Sequence, residues 1–555
     1  MADLDALFRT HAPMIDAATH AAFSRVFHAQ WPEVPSGKIY GETAQSDGEA
    51  AFRAHVGKPF AGTGQAADRW VGAEASPYGF DLGITYPFAE PDTLVARAAA
   101  ARTAWMRMQP AHRAGVLAEA LVRMSSRFFE IAFATMHTTG QGFMMAFQAS
   151  GPHAFDRALE AIVLGYAEQT RFASQVRWEK PMGKSTVVLE KTYRCIGHGV
   201  GVAIACSTFP VWNSFPGMFA SLVTGNPVIV KPHPGAILPL AICVASMRST
   251  FADVGIDPDI LQLAVDGDRL IADALVTHPQ VRLVDYTGGS AYGDRLESLP
   301  DTIVFTEKAG INSIILDSAD ALDAALDNIA FSVSLYSGQM CTKPQNIYVP
   351  RGGVRDGGVL VPYAEVVQRL AARIDALVSN EKMGPGTLGA IQNPATMERV
   401  AEIGSLGATV ALASRGIAHP GFADARSMSP VIVEVPTDQQ AMSEREWFGP
   451  IVCVIATEDT RQSIALAAHA ARTHGAISFG AWCTDAGLRE EIAGELMEAG
   501  ANVSLNLTGP IWMNQSATFS DFHVSGGNPA GNASLTDTGF VARRFFIAAS
   551  RISVV

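Results

Sequence analysis

The 555-residue chain has few cysteines, no long apolar run and no basic cluster. Its six cysteines are scattered without a Cys-x-x-Cys pair, which argues against a disulfide framework and against a metal site. The longest apolar runs, such as GVGVAIAC, fall well short of the roughly 20 residues that span a bilayer. The first residues include acids and lack a continuous apolar block, so a secretory signal is not expected. We therefore predict a cytoplasmic protein with no membrane partner and no bound metal.

Acidic residues outnumber basic ones, 54 to 41, and the formal net charge is −13. Because long Lys or Arg runs are missing, nucleic acid is not an expected partner. With 48% hydrophobic and 17% charged residues, the composition is that of a globular protein with large cores. The length predicts roughly three or four domains or lobes.

The apolar pattern changes along the chain. Residues 1–80 are weakly periodic, whereas residues 92–169 repeat apolar positions three and four apart, as helices do. From about residue 199, short apolar strands alternate with helices, which predicts a doubly wound parallel sheet. A second alternating set runs from residue 313 to about residue 503. Residues 185–193 and 543–555 have the β-branched or apolar character of strands.

Two residues are candidates for covalent or acid–base chemistry. Cys341 lies in SLYSGQMCTKPQN, and Glu307 lies at a predicted strand end in FTEKAGIN. By default, such a cysteine is a buried small apolar residue and such a glutamate is a solvated loop acid. The alternatives are a nucleophilic thiolate and a general base.

Three further stretches suit a nucleotide. VDYTGGSAYG places glycines between a strand and a helix, where main-chain N–H groups can hold a phosphate, although such turns are common. NPVIVKPHP places Lys231 at the carboxyl end of a strand, the edge at which doubly wound sheets bind ligands. In EREWFGPIV, Glu446 alone is typical of an ordinary loop.

The loop ACSTFPVWNSFPG adds two polar candidates, Thr208 and Asn213.

Together and in this order, TFP, GNPVIVKP, YTGGS, EKAGIN, GQMC and EWFGP resemble the signature of the aldehyde dehydrogenase superfamily, over roughly residues 85–550. The 34 residues from Glu307 to Cys341 match the spacing expected in that family. The long N-terminal extension, the STFPVWNSFPG loop, KPHP and EKAG most resemble the phenylacetate-degradation (PaaN-type) members.

The resemblance implies an α/β fold with a Rossmann-like cofactor domain, an α/β catalytic domain and a bridging β element for oligomerisation. The implied division is an extension at 1–80, a dinucleotide-binding domain at 81–309 with bridging strands at about 183–195, a catalytic domain at 310–505, and a return to the cofactor domain with an oligomerisation strand at 506–555. A homodimer or homotetramer is expected.

The resemblance also implies a mechanism. Cys341, as a thiolate, attacks an aldehyde, hydride leaves for a nicotinamide, and Glu307 activates the water that cleaves the thioester. The main-chain N–H of Cys341 and, in most members, an Asn side chain bind the oxyanion. When TFP is matched to the family's Asn-Phe-Pro without a gap, Thr208 takes the position of that Asn. Placing Asn213 at that position instead requires a five-residue deletion in the following helix, which would rotate the helix by about 140°. We favour Thr208 and keep Asn213 as the alternative, otherwise a helix-start residue.

The family's cofactor residues can be carried over by position. The positions expected near the adenosine are Lys231 and His233. The turn expected to hold the phosphates contains Gly288, Gly289 and Gly293. The resemblance places Glu446 on the nicotinamide ribose and Phe448 beside it. NAD-preferring members often carry Glu where this chain has Pro234. Without that carboxylate, Lys231 is expected to attract a 2′-phosphate, so NADP is favoured over NAD, with both open.

The substrate implied by the subfamily is a ring-opened semialdehyde of phenylacetate catabolism, attached to CoA, and more generally an aldehyde of a mid-length or aromatic-derived acid. Two alternatives remain. A CoA-acylating aldehyde dehydrogenase is disfavoured because a hydrolytic base at Glu307 would have no use there. A catalytically impaired structural homologue is favoured only by the unusual Thr208.

Overall fold

Two large β-sheets, of five and seven strands, organise the part of the chain that the structure describes, residues 3–554 of a computed structural model. The strands are, in chain order, β1 (Arg69–Val71), β2 (Ala75–Ser76), β3 (Phe80–Asp81), β4 (Tyr86–Phe88), β5 (Gln175–Met182), β6 (Ser185–Gly197), β7 (Val200–Ile204), β8 (Val228–Lys231), β9 (Leu261–Leu263), β10 (Val281–Thr287), β11 (Ile303–Glu307), β12 (Ser313–Leu316), β13 (Ser318–Ala319), β14 (Asn346–Pro350), β15 (Val354–Asp356), β16 (Val359–Val361), β17 (Thr409–Leu412), β18 (Val431–Val435), β19 (Ile451–Thr457), β20 (Ser478–Trp482), β21 (Asn502–Leu505) and β22 (Phe545–Ser553).

The described residues also form twenty α-helices, some of which cover the faces of the two sheets. They are α1 (Leu4–Ser24), α2 (Gly37–Tyr40), α3 (Ala44–Arg53), α4 (Pro91–Arg107), α5 (Pro110–Ser125), α6 (Phe128–Thr139), α7 (Phe143–Ser150), α8 (Pro152–Thr170), α9 (Pro210–Val223), α10 (Leu238–Asp253), α11 (Ala272–Val276), α12 (Ser290–Glu297), α13 (Leu322–Ser334), α14 (Tyr363–Ser379), α15 (Gly384–Leu388), α16 (Ala395–Ser405), α17 (Gln440–Ser443), α18 (Thr460–His474), α19 (Ala486–Glu498) and α20 (Thr538–Ala542). Among the described residues, none of the helices is both long enough and apolar enough to cross a bilayer.

The five-stranded sheet is parallel throughout, in the order β11-β10-β7-β8-β9. Helices α9 and α10 pack on one face, and α4 and α11 pack on the other. Strands covered on both faces need continuous apolar runs, and β8 is buried at every position. All five strands end at the same edge, so Lys231, Thr287 and Glu307, the last residues of β8, β10 and β11, face one region.

The seven-stranded sheet has the order β17-β18-β19-β14-β12-β20-β21 and is parallel except for β17 at one edge. Helices α13 and α14 pack on one face, while α18 and α19 pack on the other. The two sheets confirm the predicted α/β fold, with a Rossmann-like parallel sheet followed by a second α/β unit.

A third sheet carries the C-terminal strand. β22 pairs antiparallel with β6, and β6 pairs with β5. The predicted strand at 185–193 lies within β6, and of the predicted strand at 543–555 the residues Phe545–Ser553 form β22, whereas residue 555 lies outside the described residues. Most of this sheet is exposed, including the apolar side chains of Phe546, Ile547 and Ile552.

The weak periodicity of residues 1–80 did not predict α1, a 21-residue helix that packs on α5 and α8. Its buried stripe consists of His11, Ile15, Ala18, Ala21 and Ala22, whose first four members are spaced four, three and three apart. Alanine and histidine are weak apolar signals, so the helical period is present without a strong contrast. Asp3 caps the helix by accepting a hydrogen bond from the N–H of Ala6 at 3.0 Å.

Arg544, at the start of β22, fixes the C-terminal strand to the five-stranded sheet. Its fully buried guanidinium donates to both carboxylate oxygens of Asp285, at 2.8 and 2.6 Å, and to Ser221 Oγ at 2.8 Å. The rings of Phe305 and Phe540 lie 4.0 and 4.2 Å from its central carbon.

We expect Arg544→Ala to lower the free energy of unfolding by about 3–5 kcal/mol, because Asp285 would keep a charge in the interior without its partner. Arg551→Ala, on the exposed part of the same strand, is the matched control and should change stability by less than about 0.5 kcal/mol. Thermal and urea unfolding of both variants measure the difference. Equal losses in the two variants would contradict the assignment.

Candidate active site

Three side chains from distant parts of the chain meet beside the carboxyl edge of the five-stranded sheet. Glu307 ends β11, Cys341 lies in the loop before β14, and His523 lies in the loop after β21. His523 Nε2 is 3.0 Å from Glu307 Oε1 and 3.4 Å from Cys341 Sγ. The sulfur, the ring nitrogen and a carboxylate oxygen lie within 4.8 Å of one another. The two residues that the sequence singles out for chemistry, Cys341 and Glu307, therefore share one site.

The loop that presents Cys341 is held in an uncommon conformation. Tyr336, Ser337 and Gly338 have successive φ angles of 53°, 49° and 65°, in the left-handed region. Gly338 is required there, because a Cβ would lie 2.3 Å from the carbonyl oxygen of Gly449. Ser337 Oγ donates to the carbonyl of Leu388 at 3.0 Å. Such conformations persist only where the surroundings fix them, as they do beside this half-buried cysteine.

Cys341 is a neutral thiol in this resting arrangement. Burial raises its pKa well above the ordinary value, and the charge of Glu307, with its hydrogen bond, raises it further. A thiol in this state is a poor nucleophile, so its reaction requires a base that removes the proton. The side-chain Nδ2 of Asn312 fixes the loop by donating to the carbonyl of Cys341 at 2.7 Å.

Glu307 is held as a carboxylate although it is buried. Burial by itself would raise its pKa, but the charge of His523 and hydrogen bonds from His523, Cys341 and Asn213 outweigh it and lower the pKa. The bond from Asn213 Nδ2 to Glu307 Oε2 is 2.9 Å long. The carboxylate is therefore available to accept a proton at neutral pH.

The two polar candidates of the 205–217 loop are placed differently. Helix α9 begins at Pro210, five residues before the run FPGMFASLV that predicted it, so Asn213 lies in its first turn with its buried side chain on Glu307. Thr208 lies before the helix and is half-buried. The carbonyl of Thr208 accepts from Gln141 Nε2 at 2.7 Å, and its hydroxyl and N–H hydrogen-bond the sulfur of Cys206.

Lys231 lies at the edge of the sheet, as predicted, but it is not a lone charge. Its ammonium group forms an ion pair with Asp266, and the two side chains are only 6% and 7% exposed. Asp266 follows β9, the neighbouring strand, and its second oxygen accepts from the N–H of Ile271 at 2.9 Å. His233 is exposed, and its Nδ1 accepts from the N–H of Gly235 at 3.1 Å.

The glycines of the β10–α12 turn have different surroundings. Gly289 precedes α12, and a Cβ on it would meet no atom within 4 Å, so the turn borders open space. No side chain caps the first turn of α12. At Gly288 a Cβ would contact the Tyr286 hydroxyl oxygen at 2.4 Å, and at Gly293 it would contact Lys308 Cδ at 2.5 Å. Packing alone therefore explains Gly288 and Gly293.

Glu446 and Phe448 lie in the loop before β19. Glu446 Oε1 accepts from the N–H of Gly310 at 3.5 Å, which connects it to the segment that follows Glu307. Burial raises its pKa. The carbonyl of Phe448 accepts from Arg399 Nε at 3.1 Å.

Sequence reasoning missed His523 and Asp266. His523 lies in SDFHVSGG, which has no pattern that predicts chemistry, so no local signal could have found it. Asp266 comes three residues after the end of the short strand β9, in LQLAVDGD. The rule that ligands bind at the carboxyl edge of a parallel sheet could have found it.

Known proteins resemble this chain in sequence and in fold. A family model described as "Aldehyde dehydrogenase family" matches residues 88–533. The chain is 44% identical to a crystal structure named as an NAD-dependent aldehyde dehydrogenase from Burkholderia multivorans, with 99% of each chain covered and a TM-score of 0.97. It is 24% identical to a 1-pyrroline-5-carboxylate dehydrogenase of Bacillus subtilis, over 64% of this chain and 66% of that one. It is 29% identical to an N-succinylglutamate 5-semialdehyde dehydrogenase of Ectopseudomonas mendocina, over 68% of this chain and 74% of that one.

Proposed function

Because the chain belongs to the aldehyde dehydrogenase family, we propose that it oxidises an aldehyde to a carboxylic acid through a thioester on Cys341, with NAD as the cofactor. The observation that carries this proposal is the meeting of Cys341 and Glu307, 34 residues apart, at the edge of a parallel sheet. The thiol supplies a nucleophile and the carboxylate supplies a general base, the two groups that a covalent oxidation followed by hydrolysis needs.

The edge of the five-stranded sheet suits a dinucleotide. The turn at Gly289 borders open space, and the uncapped N–H groups of α12 are suited to a phosphate. At the ends of the neighbouring strands β8 and β9, Lys231 supplies a positive charge and Asp266 a negative one. Glu446 and Phe448 would lie on the nicotinamide side. When bound, the nicotinamide ring accepts the hydride that leaves the aldehyde carbon.

The reaction begins when the Cys341 sulfur attacks the carbonyl carbon and the carbonyl oxygen becomes an oxyanion. The main-chain N–H of Cys341 and the hydroxyl of Thr208 would donate to that oxygen. After hydride departure, the acyl group remains on sulfur as a thioester. Glu307 then takes a proton from water, the resulting hydroxide cleaves the thioester, and the sulfur leaves with the bonding electrons.

A buried carboxylate beside the thiol favours hydrolysis over transfer of the acyl group to CoA. All three relatives compared above are named as dehydrogenases; two names contain an aldehyde or a semialdehyde and the third contains 1-pyrroline-5-carboxylate, so the names do not agree on one substrate. Our more specific prediction, a ring-opened semialdehyde of phenylacetate catabolism, rests only on the resemblance of the long N-terminal extension, the STFPVWNSFPG loop, KPHP and EKAG. The open edge of β22, with exposed Phe546, Ile547 and Ile552, supports the homodimer or homotetramer that we also propose.

The ion pair between Lys231 and Asp266 leads us to propose NAD rather than NADP. The preference for NADP assumed that Lys231 was free to attract a 2′-phosphate. Its pairing with Asp266 compensates that charge, and the carboxylate is available to accept hydrogen bonds from ribose hydroxyls while it repels a phosphate. The similarity to a protein named as NAD-dependent points the same way.

The roles proposed for Cys341 and Glu307 can be tested by substitution. With a panel of aldehydes, with NAD and without CoA, Cys341→Ser should lower NADH formation by at least roughly 10³-fold, because a hydroxyl is a far weaker nucleophile. Glu307→Gln should release one burst of NADH per active site and then stall at the thioester. Cys195→Ser, in β6 away from the site, is the control. Free turnover by Glu307→Gln would contradict the role of Glu307.

The oxyanion assignment makes a second prediction. Thr208→Ala should slow the NADH burst by roughly 10²-fold, since it removes a donor to the charge that develops before hydride transfer. Asn213→Ala should leave the burst nearly unchanged and slow steady turnover, because Asn213 orients Glu307 for the water step. Rapid-mixing and steady-state rates separate the two. A larger loss of burst rate in Asn213→Ala would move the oxyanion role to Asn213.

The cofactor assignment makes a third prediction. Asp266→Ala should raise the KM for NAD and lower that for NADP, which shifts the ratio of their kcat/KM values by at least about tenfold toward NADP. Asp268→Ala, two residues on and 86% exposed, should leave the ratio unchanged. A wild-type enzyme that prefers NADP, with a ratio insensitive to Asp266, would contradict the assignment.

A further inference from the structure

Glu307, Cys341 and His523 offer three different donor atoms to one point of the cleft. The carboxylate oxygen, the sulfur and the ring Nε2 lie within 4.8 Å of one another. Among the described residues, this is the one group of three potential metal ligands whose donor atoms approach so closely. Carboxylate oxygen, thiolate sulfur and imidazole nitrogen are the donor types that bind Zn²⁺ in proteins.

The spacing of these donors suits a tetrahedral ion. Zn²⁺ lies about 2.0 Å from nitrogen and oxygen ligands and about 2.3 Å from sulfur, so the ligands of a tetrahedral site are roughly 3.3–3.7 Å apart. His523 Nε2 is 3.0 Å from Glu307 Oε1 and 3.4 Å from Cys341 Sγ, and Cys341 also hydrogen-bonds Glu307. Small side-chain rotations are therefore enough to bring the three donors onto one ion.

We propose that Glu307, Cys341 and His523 form a Zn²⁺ site at which the ion reversibly inhibits the enzyme; the inhibition, but not the binding, rests on the proposed function. The ligands are Glu307 Oε1, His523 Nε2 and Cys341 Sγ, and a water from the cleft completes the tetrahedron. The S–H bond and the N–H bond at Nε2 break, and both protons go to solvent. The ion then holds the electron pair of the sulfur and the oxygen of the general base, so neither the attack on the aldehyde nor the water step can occur.

The charges of the cleft balance with and without the ion. In the resting site a neutral thiol, a carboxylate and a charged imidazole sum to zero, and the charge of His523 helps to keep Glu307 ionised. With Zn²⁺ bound, a thiolate and a carboxylate balance the two positive charges of the ion, and the imidazole is neutral. Binding therefore leaves no uncompensated charge in the site, which is the usual cost of burying an ion.

The surroundings orient two of the ligands before an ion arrives. Asn213 Nδ2 donates to Glu307 Oε2 at 2.9 Å, which leaves Oε1 directed towards His523. The indole of Trp212 packs edge-on against the imidazole, with the ring centroids 4.7 Å apart. Outer contacts of this kind fix the orientation of ligands at metal sites.

The segment that carries His523 is also held in place. Asn502 Nδ2 donates to the carbonyl of His523 at 3.0 Å. Arg157 donates to the carbonyl of Asp521 from two nitrogens at 3.1 Å each. The third ligand is therefore positioned by contacts that the ion does not have to create.

Two features set the affinity below that of a structural zinc site. Three protein ligands leave one position to water, as in catalytic zinc sites. In addition, His523 Nδ1 has no hydrogen-bond partner among the described residues, whereas the second nitrogen of a metal-bound histidine usually donates to one. We therefore expect a reversible inhibitor that EDTA removes, and not a component of the fold.

Local spacing in the sequence does not reveal this site. The lack of paired cysteines argues against a metal site formed by one segment of the chain. These ligands instead come from three segments, with Cys341 34 residues after Glu307 and His523 182 residues after Cys341.

The test is direct binding of the metal, with neither aldehyde nor cofactor present. The protein is stripped with EDTA, freed of it, and kept reduced with a phosphine, because thiol reductants would themselves bind the metal. With Co²⁺ in place of Zn²⁺, a thiolate-to-cobalt charge-transfer band and the intense visible bands of a tetrahedral site should saturate at one equivalent per chain. Titration of Zn²⁺ against a chromophoric chelator gives the Kd.

Variants from two different segments identify the ligands. Cys341→Ser should abolish the charge-transfer band. His523→Gln should raise the Kd for Zn²⁺ by at least about 100-fold, because loss of an outer contact alone costs about 10–100-fold. His469→Gln is the matched control, since His469 lies 3.7 Å from Glu444 but is 57% exposed, and it should leave the Kd within about twofold. Circular dichroism of the metal-free proteins checks that each variant is folded.

Equal Kd values in wild type and both ligand variants would mean an adventitious ion only and would overturn the proposal, as would the absence of the charge-transfer band in wild type. In the enzymatic assay, Zn²⁺ should abolish NADH formation with half-inhibition near the measured Kd, and EDTA should restore it. Binding without inhibition of a working enzyme would overturn the inhibitory role. If no aldehyde is oxidised, the proposed function fails, while the titrations still decide whether the site exists.

Discussion

A thiolate and a carboxylate have to share one largely buried cleft, and like charges at that distance repel each other. This constraint organises the active site. Glu307 raises the pKa of Cys341, so the resting sulfur is protonated, while Glu307 itself remains ionised because His523 and Asn213 bond its two oxygens. His523 Nε2 contacts both groups, at 3.0 Å from Glu307 Oε1 and 3.4 Å from Cys341 Sγ.

The fold brings them together from three separate segments. The parallel sheet delivers Glu307 at a strand end, the left-handed turn at 336–338 presents Cys341, and the segment held by Arg157 carries His523. At the same edge of the sheet, Lys231 ends β8, three strands from β11, and Asp266 follows β9, four strands from β11. This is the edge at which we propose that the cofactor binds.

The sequence predicts those parts of the site that depend on local order along the chain. Cys341, Glu307 and Lys231 could be assigned because each follows a recognisable strand, helix or turn and because their motifs occur in the family's order. The contact between Asn213 and Glu307 could not be predicted. It depends on α9 beginning at Pro210, before the apolar run from which the helix was predicted. His523 and the pairing of Asp266 with Lys231 depend on tertiary contacts between distant segments. Helix α1 was missed because its buried stripe is mostly small residues.

The most direct test of the account is to stop the enzyme with acid during steady-state oxidation of an aldehyde and to map the bound acyl group by peptide mass spectrometry. The account predicts an added mass equal to the acyl group on the peptide that contains Cys341, dependent on the oxidised cofactor. An acyl group on Cys206, the other cysteine beside this site, or turnover without any acyl-enzyme, would contradict it.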